Sequence, residues 1–215
     1  MREYHKERCK ACKNAIYRLL SRIDGSVKQQ YDLGMPAHLD SYRSVSCFAS
    51  LESIYDGLRG YRGYNSFVKA SRLPKVDYYL PACQLVVEFD ESQHFTRPRF
   101  ISLSHYPSDL MLGYDRHKWM ELSRRLDKKD NDPPYRDEQR AWYDTLRDFS
   151  SVVLGIRPTV RLYASDKRWC SMEAYKAEDV AFFRALCLGE GQFQVVAGPN
   201  LRLHRKTASP DEPAI

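Results

Sequence analysis

Long apolar runs are missing from this 215-residue sequence. None reaches the roughly 18 consecutive apolar residues that a membrane helix requires, which excludes a spanning helix. The N-terminal MREYHKERCKACK is charged with no apolar stretch behind it, so no secretory signal is expected and the chain reads as cytoplasmic. Cysteine is sparse. Its six residues (Cys9, Cys12, Cys47, Cys83, Cys170, Cys187) are scattered without an export signal, which argues against a disulfide framework. Only CKAC (9–12) has ligand-like spacing, with His5 one helical turn earlier. His5, Cys9 and Cys12 would share a helix face as candidate zinc ligands, but neither a second CxxC nor an HxxxH accompanies them. Two small buried thiols on a helix would explain the same spacing. No internal repeat is visible either.

What is present suits one substantial globular domain: 43% hydrophobic and 29% charged residues. The net charge of +6 fits a nucleic-acid partner without demanding one. Arginine and tyrosine recur together in GLRGYRGYNSFVKASRLPK (57–75), where phosphates could pair and bases stack.

Apolar periodicity predicts helices over 3–23, stopped by Asp24-Gly25-Ser26, and over 41–59, ended by Gly60 and Gly63. Strands are predicted at 65–70, 75–80 and 85–90, the last two joined by the hairpin-length PACQ (81–84). Residues 96–136 are polar, with one short helical piece at 117–126. A helix over 136–149, a strand over 158–165 and a helix near 172–188 follow. A small hairpin is expected around 198–200, and the tail KTASPDEPAI reads as disordered. The expected fold is an α/β sandwich with a mixed β-sheet. Its expected parts are an N-terminal helical extension (1–40), a core (41–170) interrupted by an insertion (96–136), and a C-terminal segment (171–215).

The stretch KVDYYLPACQLVVEFDESQHF (75–95) carries the chemistry. A four-residue loop pairs Leu80 with Leu85, Tyr79 with Val86, Tyr78 with Val87 and Asp77 with Glu88. Alternation then puts Asp77, Glu88 and Asp90 on one face. Three carboxylates in a sheltered site repel one another, and a divalent cation among them would relieve this. Hard oxygen donors suit Mg²⁺ or Mn²⁺. The alternative is a solvated sheet face, which these apolar strands disfavour.

These residues resemble the PD-(D/E)XK nuclease pattern. Asp77-Tyr78-Tyr79, Pro81, Glu88-Phe89-Asp90 and Gln93-His94 look most like the branch that includes very-short-patch-repair endonucleases. LESIYDGLRGYRGYNSFVKA is similar to the helix bearing a further acid, here Glu52, and the strand after it. RDEQRAWYDTLRDF with RPTVRLYASD resembles the family's downstream helix and strand. The resemblance covers about 45–170 and implies a restriction-endonuclease-like fold with a metal-dependent nuclease activity. Asp77 and Glu88 would be metal ligands, and Asp90 a ligand or base. Glu52 would support them, while Gln93, His94 and Gln139 would position water or phosphate.

One departure matters: Asp90 stands where the pattern has lysine. Gln93 could replace that function, as could Gln139, which with Tyr143 has a spacing similar to that of RecB-type nucleases. Gln139 could equally cap backbone amides at its helix start. The expected function is Mg²⁺- or Mn²⁺-dependent cleavage of DNA, in restriction, phage defence or repair. An inactive nucleic-acid-binding subunit and an RNA-directed nuclease are the alternatives. A homodimer, or a place in a larger complex, is plausible, and no membrane partner is expected.

Overall fold

The computed structural model describes residues 9–189; the hairpin expected near 198–200, the tail 206–215 and His5 lie outside them. A four-stranded mixed sheet, in the spatial order β1 (Lys28–Tyr31), β2 (Val76–Leu80), β3 (Leu85–Asp90) and β4 (Val160–Tyr163), is flanked by helices on both faces. None of the helices among these residues is long and apolar enough to cross a membrane.

Helix α1 (Lys10–Ile23) buries Cys12, Ile16, Leu19 and Leu20 along one stripe, and Cys9 caps its start by accepting from the Cys12 N–H at 3.2 Å. Asp24 ends it. One Asp24 oxygen accepts from the Ser26 N–H and hydroxyl, and the other from the N–H groups of Ala82 and Cys83. The helix terminus is thereby pinned to the turn between β2 (Val76–Leu80) and β3 (Leu85–Asp90). Those strands pair antiparallel in the expected register, Tyr78 with Val87, Tyr79 with Val86 and Leu80 with Leu85.

The edge strand corrects the sequence reading. Residues 65–70 do not form a strand; β1 (Lys28–Tyr31) pairs antiparallel with β2 instead. The segment KQQY is exposed throughout and has no apolar alternation, so its pattern carries no strand signal. Phe67 and Val68 have the apolar character of a strand but serve as core plugs, Phe67 stacking on Tyr55 with centroids 4.6 Å apart. Residues 28–31 are therefore part of the sheet, and α1 covers one of its faces through Tyr78, whose hydroxyl donates to the Lys13 carbonyl. Residues 9–40 thus include an edge strand of the sheet and the helix that packs on it.

The expected helix over 41–59 is α2 (Phe48–Arg62), preceded by a 3-10 turn at Leu39–Tyr42. The 96–136 segment holds two helices, α3 (Arg97–Ser104) and α4 (Arg116–Leu126), and the first escaped the sequence reading. Thr96 caps α3 and Pro98 sits in its first turn, so capping chemistry rather than an apolar stripe specifies it. Helix α5 (Arg136–Asp148) is buried along nearly its whole length, with α2 and α3 packed against it. The short α6 (Ser150–Leu154) leads to β4 (Val160–Tyr163), which pairs parallel to β3. A 3-10 turn at Trp169–Ser171 and α7 (Ala177–Leu188) return to α1.

Candidate active site

Side chains alternate across the sheet, so Val87 and Phe89 face α1 while Glu88 and Asp90 face α5. The Lys13 ammonium over the Phe89 ring marks the first face, and Arg147 beside Glu88 marks the second.

Beyond the Tyr78–Val87 pair, carboxylates take over the hairpin's cross-strand bonds. The Asp77 N–H donates to Glu88 Oε1 at 3.2 Å, and the Phe89 N–H donates to Asp77 Oδ2 at 2.9 Å. Gln30 on the edge strand donates to Asp77 Oδ1 at 3.2 Å. Asp77 and Glu88 therefore come together, one half-buried and the other only 4% exposed. Burial pushes the Glu88 carboxyl up to about 7; Arg147 opposes the rise and Asp77 adds to it. Arg147 Nε lies 3.4 Å from Glu88 Oε1 and makes no hydrogen bond there, while Nη1 of the same guanidinium turns to Asp144 at 3.2 Å.

Asp90 belongs to a different constellation. Its carboxylate is buried and accepts from Trp119 Nε1 at 2.7 Å and from Arg161 Nη1 at 2.8 and 3.1 Å. Arg161 also donates through Nε to Asp148 at 2.7 Å and through Nη2 to the Asp144 carbonyl at 3.0 Å. The other Asp148 oxygen gathers Arg99, Tyr106 and Tyr114 at 2.7–2.8 Å. Burial raises the Asp148 carboxyl, but Arg161 and Arg99 outweigh it and hold it below the ordinary range. Asp144 is likewise held well below that range, because His94 and Arg161 outweigh its burial. Three buried aspartates thus face the buried Arg99, Arg147 and Arg161.

Asp90, expected as a cation ligand or base, is found in an ion pair within the protein. Its counter-charge is Arg161, and both its oxygens are engaged. Among the described residues, no metal-sized group of three donors includes Asp77, Glu88 or Asp90. As a donor set for Mg²⁺ or Mn²⁺, the hard oxygens of Asp77 and Glu88 fit, and Asp90 does not.

The remaining candidates divide. His94, at the end of a 3-10 turn (Ser92–His94), places Nδ1 2.9 Å from Asp144 and 3.7 Å from Asp90. Burial draws its pKa down, but the two carboxylates outweigh that and leave it above the ordinary value. Gln93 donates to Glu91 at 3.2 Å, and its carbonyl accepts from Arg140 at 3.0 Å. Gln139 does not reach the acids: its amide donates to the Phe67 carbonyl at 2.9 Å and anchors the irregular segment that replaces the expected strand. Glu52 is exposed on α2, because the buried stripe of that helix is Leu51, Ile54 and Leu58. In the 57–75 stretch, Arg62 is committed to Glu138 and Asn131, while Arg59, Tyr61 and Lys75 stay exposed.

Arg99, Asp144, Arg147, Asp148 and Arg161 were not singled out from the sequence. Two signals were available: DTLRD places Asp144, Arg147 and Asp148 three and four residues apart on a helix, and Arg161 interrupts the apolar run VRLY.

A third cluster joins two ends of the fold. The sulfurs of Cys9, Cys12 and Cys170 all lie within 4.8 Å of one another. Burial, with the Cys9 hydrogen bond, pushes the Cys12 thiol up to about 12, against a backbone hydrogen bond at Cys170 that lowers it.

No protein-family model, curated protein or solved structure matches the chain.

Proposed function

We propose that this protein is a metal-dependent nuclease that hydrolyses DNA phosphodiester bonds at the Asp77–Glu88 end of the hairpin. The observation that carries this reading is the cross-strand acid pair. Glu88 is buried beside a second carboxylate, and its nearest cation, Arg147, is also engaged by Asp144. Such a pair is costly alone and is relieved by a divalent cation. Asp77 and Glu88 would hold the ion, which would supply Lewis acidity and an activated water.

The chain's own residues have separable tasks. Gln30 and the Phe89 N–H fix the Asp77 carboxylate, and the Asp77 N–H fixes Glu88. Asp144 holds His94 through Nδ1 and favours its protonated form, leaving Nε2 as the nitrogen that can donate to a phosphate or leaving group. Asp90 and Arg161 hold strands β3 and β4 together beneath the site. Arg59, Tyr61 and Lys75 offer exposed charge and stacking surface for a nucleic-acid backbone.

A catalytically inactive nucleic-acid-binding subunit is the second reading, favoured by Asp90 standing in the lysine position and being tied to Arg161. Calorimetry with Mg²⁺ and Mn²⁺ on the native chain, Asp77→Asn and Glu88→Gln separates the two. Each protein is incubated in parallel with plasmid, single-stranded DNA and single-stranded RNA. Metal binding and DNA cleavage lost together in both variants support the nuclease. Nucleic-acid binding without metal or cleavage supports the subunit, and cleavage confined to RNA reassigns the substrate.

A further inference from the structure

We infer that Cys9, Cys12 and Cys170 form a structural zinc site that clamps α1 to the turn following β4. The site is independent of the proposed nuclease centre. Its donors come from two distant parts of the chain: CKAC at the start of α1, and the 3-10 turn Trp169–Ser171. Three soft sulfur donors within 4.8 Å match a thiophilic ion, not the hard cations that suit carboxylates. With Zn–S bonds of about 2.3 Å, sulfurs of a tetrahedral site lie about 3.8 Å apart, so closure needs shifts of about 1 Å or less.

Two backbone groups already point at the sulfurs. The Cys12 N–H donates to Cys9 Sγ at 3.2 Å, and a backbone hydrogen bond from Cys170 reaches the Cys12 thiol. N–H groups so placed can also donate to metal-bound sulfur. Cys12 is fully buried, whereas Cys9 and Cys170 are half-buried, so the fourth tetrahedral position can be reached from outside. A Cys9–Cys12 redox pair would give no use to the third sulfur, and one disulfide among three would leave a thiol over. Three converging sulfurs supply three of the four positions of a tetrahedral zinc site.

The clamp holds a region that matters to the fold. The same turn carries Trp169, which packs edge-on against Phe183 of α7 and donates to the Tyr163 carbonyl at the end of β4. Zinc would lock α1, α7 and the end of β4 as one unit.

The test uses the full chain purified under reducing conditions, with zinc measured by mass spectrometry and Co²⁺ as the spectroscopic probe. One equivalent of zinc is expected, and Co²⁺ should give a sulfur-to-cobalt charge-transfer band with intense tetrahedral visible bands. Cys170→Ser and Cys12→Ser should each weaken zinc affinity at least about 100-fold, while Cys47→Ser, outside the cluster, keeps it. Circular dichroism shows whether the variants fold. Should Cys12→Ser fail to fold, the half-buried Cys170→Ser carries the test. Absence of zinc and of cobalt–thiolate bands in the native chain overturns the site, as does full affinity in folded Cys170→Ser. A disulfide between any two of the three cysteines in chain isolated in parallel without reductant overturns it too.

Discussion

Arg161 on β4 donates to both oxygens of Asp90 on β3, across the only parallel pairing among the described strands. This contact divides what the sequence presents as a single acidic cluster. Asp77 and Glu88 remain as a pair with incomplete compensation, and Asp90 becomes part of an ionic core with its own cations.

Removing a charge from that core should be expensive. Asp148 accepts from Arg99, Arg161, Tyr106 and Tyr114, so Asp148→Asn strands two guanidiniums without their full counter-charge. The expected loss is about 3–5 kcal/mol in urea unfolding. Asp40→Asn, which breaks the exposed pair with Arg43, should stay within about 0.5 kcal/mol. Similar losses for the two would refute the distinction.

Glu88 should reduce stability at alkaline pH. Its folded pKa of about 7 lies above the ordinary value of 4.5, so its favourable contribution is present below about 4.5 and lost as pH rises through 7. Without added metal, Glu88→Gln is therefore expected to be more stable than the native chain by roughly 3 kcal/mol at pH 8. The difference should vanish on acidification. Denaturant titrations across pH 4–8 read it directly, and saturating Mg²⁺ should narrow it if Glu88 holds the ion.

His94 should titrate above the range of an unpartnered ring. Its folded pKa is raised by Asp144 and Asp90, so the protonated ring stabilises the fold below the ordinary histidine pKa. That contribution is lost as pH rises through the raised folded value. An imidazole NMR titration should place the midpoint above that of a free histidine, and Asp144→Asn should bring it down. An unchanged midpoint in the variant would show that the 2.9 Å contact does not control the ring.

Gln139 separates anchoring from catalysis. Gln139→Met leaves the Phe67 carbonyl without its donor, and stability should fall by about 1–3 kcal/mol. Calorimetric affinity for Mg²⁺ should be unchanged. A variant of native stability that loses metal affinity would return Gln139 to the site.

The hairpin register was legible because a four-residue connection and strict alternation leave one pairing that buries both apolar sets. From that register the meeting of Asp77 and Glu88 follows. The edge strand was not legible: Lys28–Tyr31 carries no apolar pattern, and Phe67 and Val68 imitate one. The ionic core was hidden for a different reason. Arg99, Asp144, Asp148 and Arg161 look like surface residues until tertiary packing brings them to Asp90, and propensity contains no information about pairs 71 residues apart. The segment at 96–136, read from the sequence as a polar insertion, supplies Arg99, Tyr106, Tyr114 and Trp119 to that core.

The ionic core draws its charges from β3, α3, α5 and β4, and this dispersal bears on how the chain assembles. With any one of the four segments undocked, at least one ion would be buried without its partner, at a cost of several kcal/mol. Partly built forms of this half of the molecule are therefore penalised far more than a plain apolar core would penalise them. Folding becomes a decision taken by all four segments together, and the same interlock excludes compact states in which β4 sits beside β3 in a shifted register.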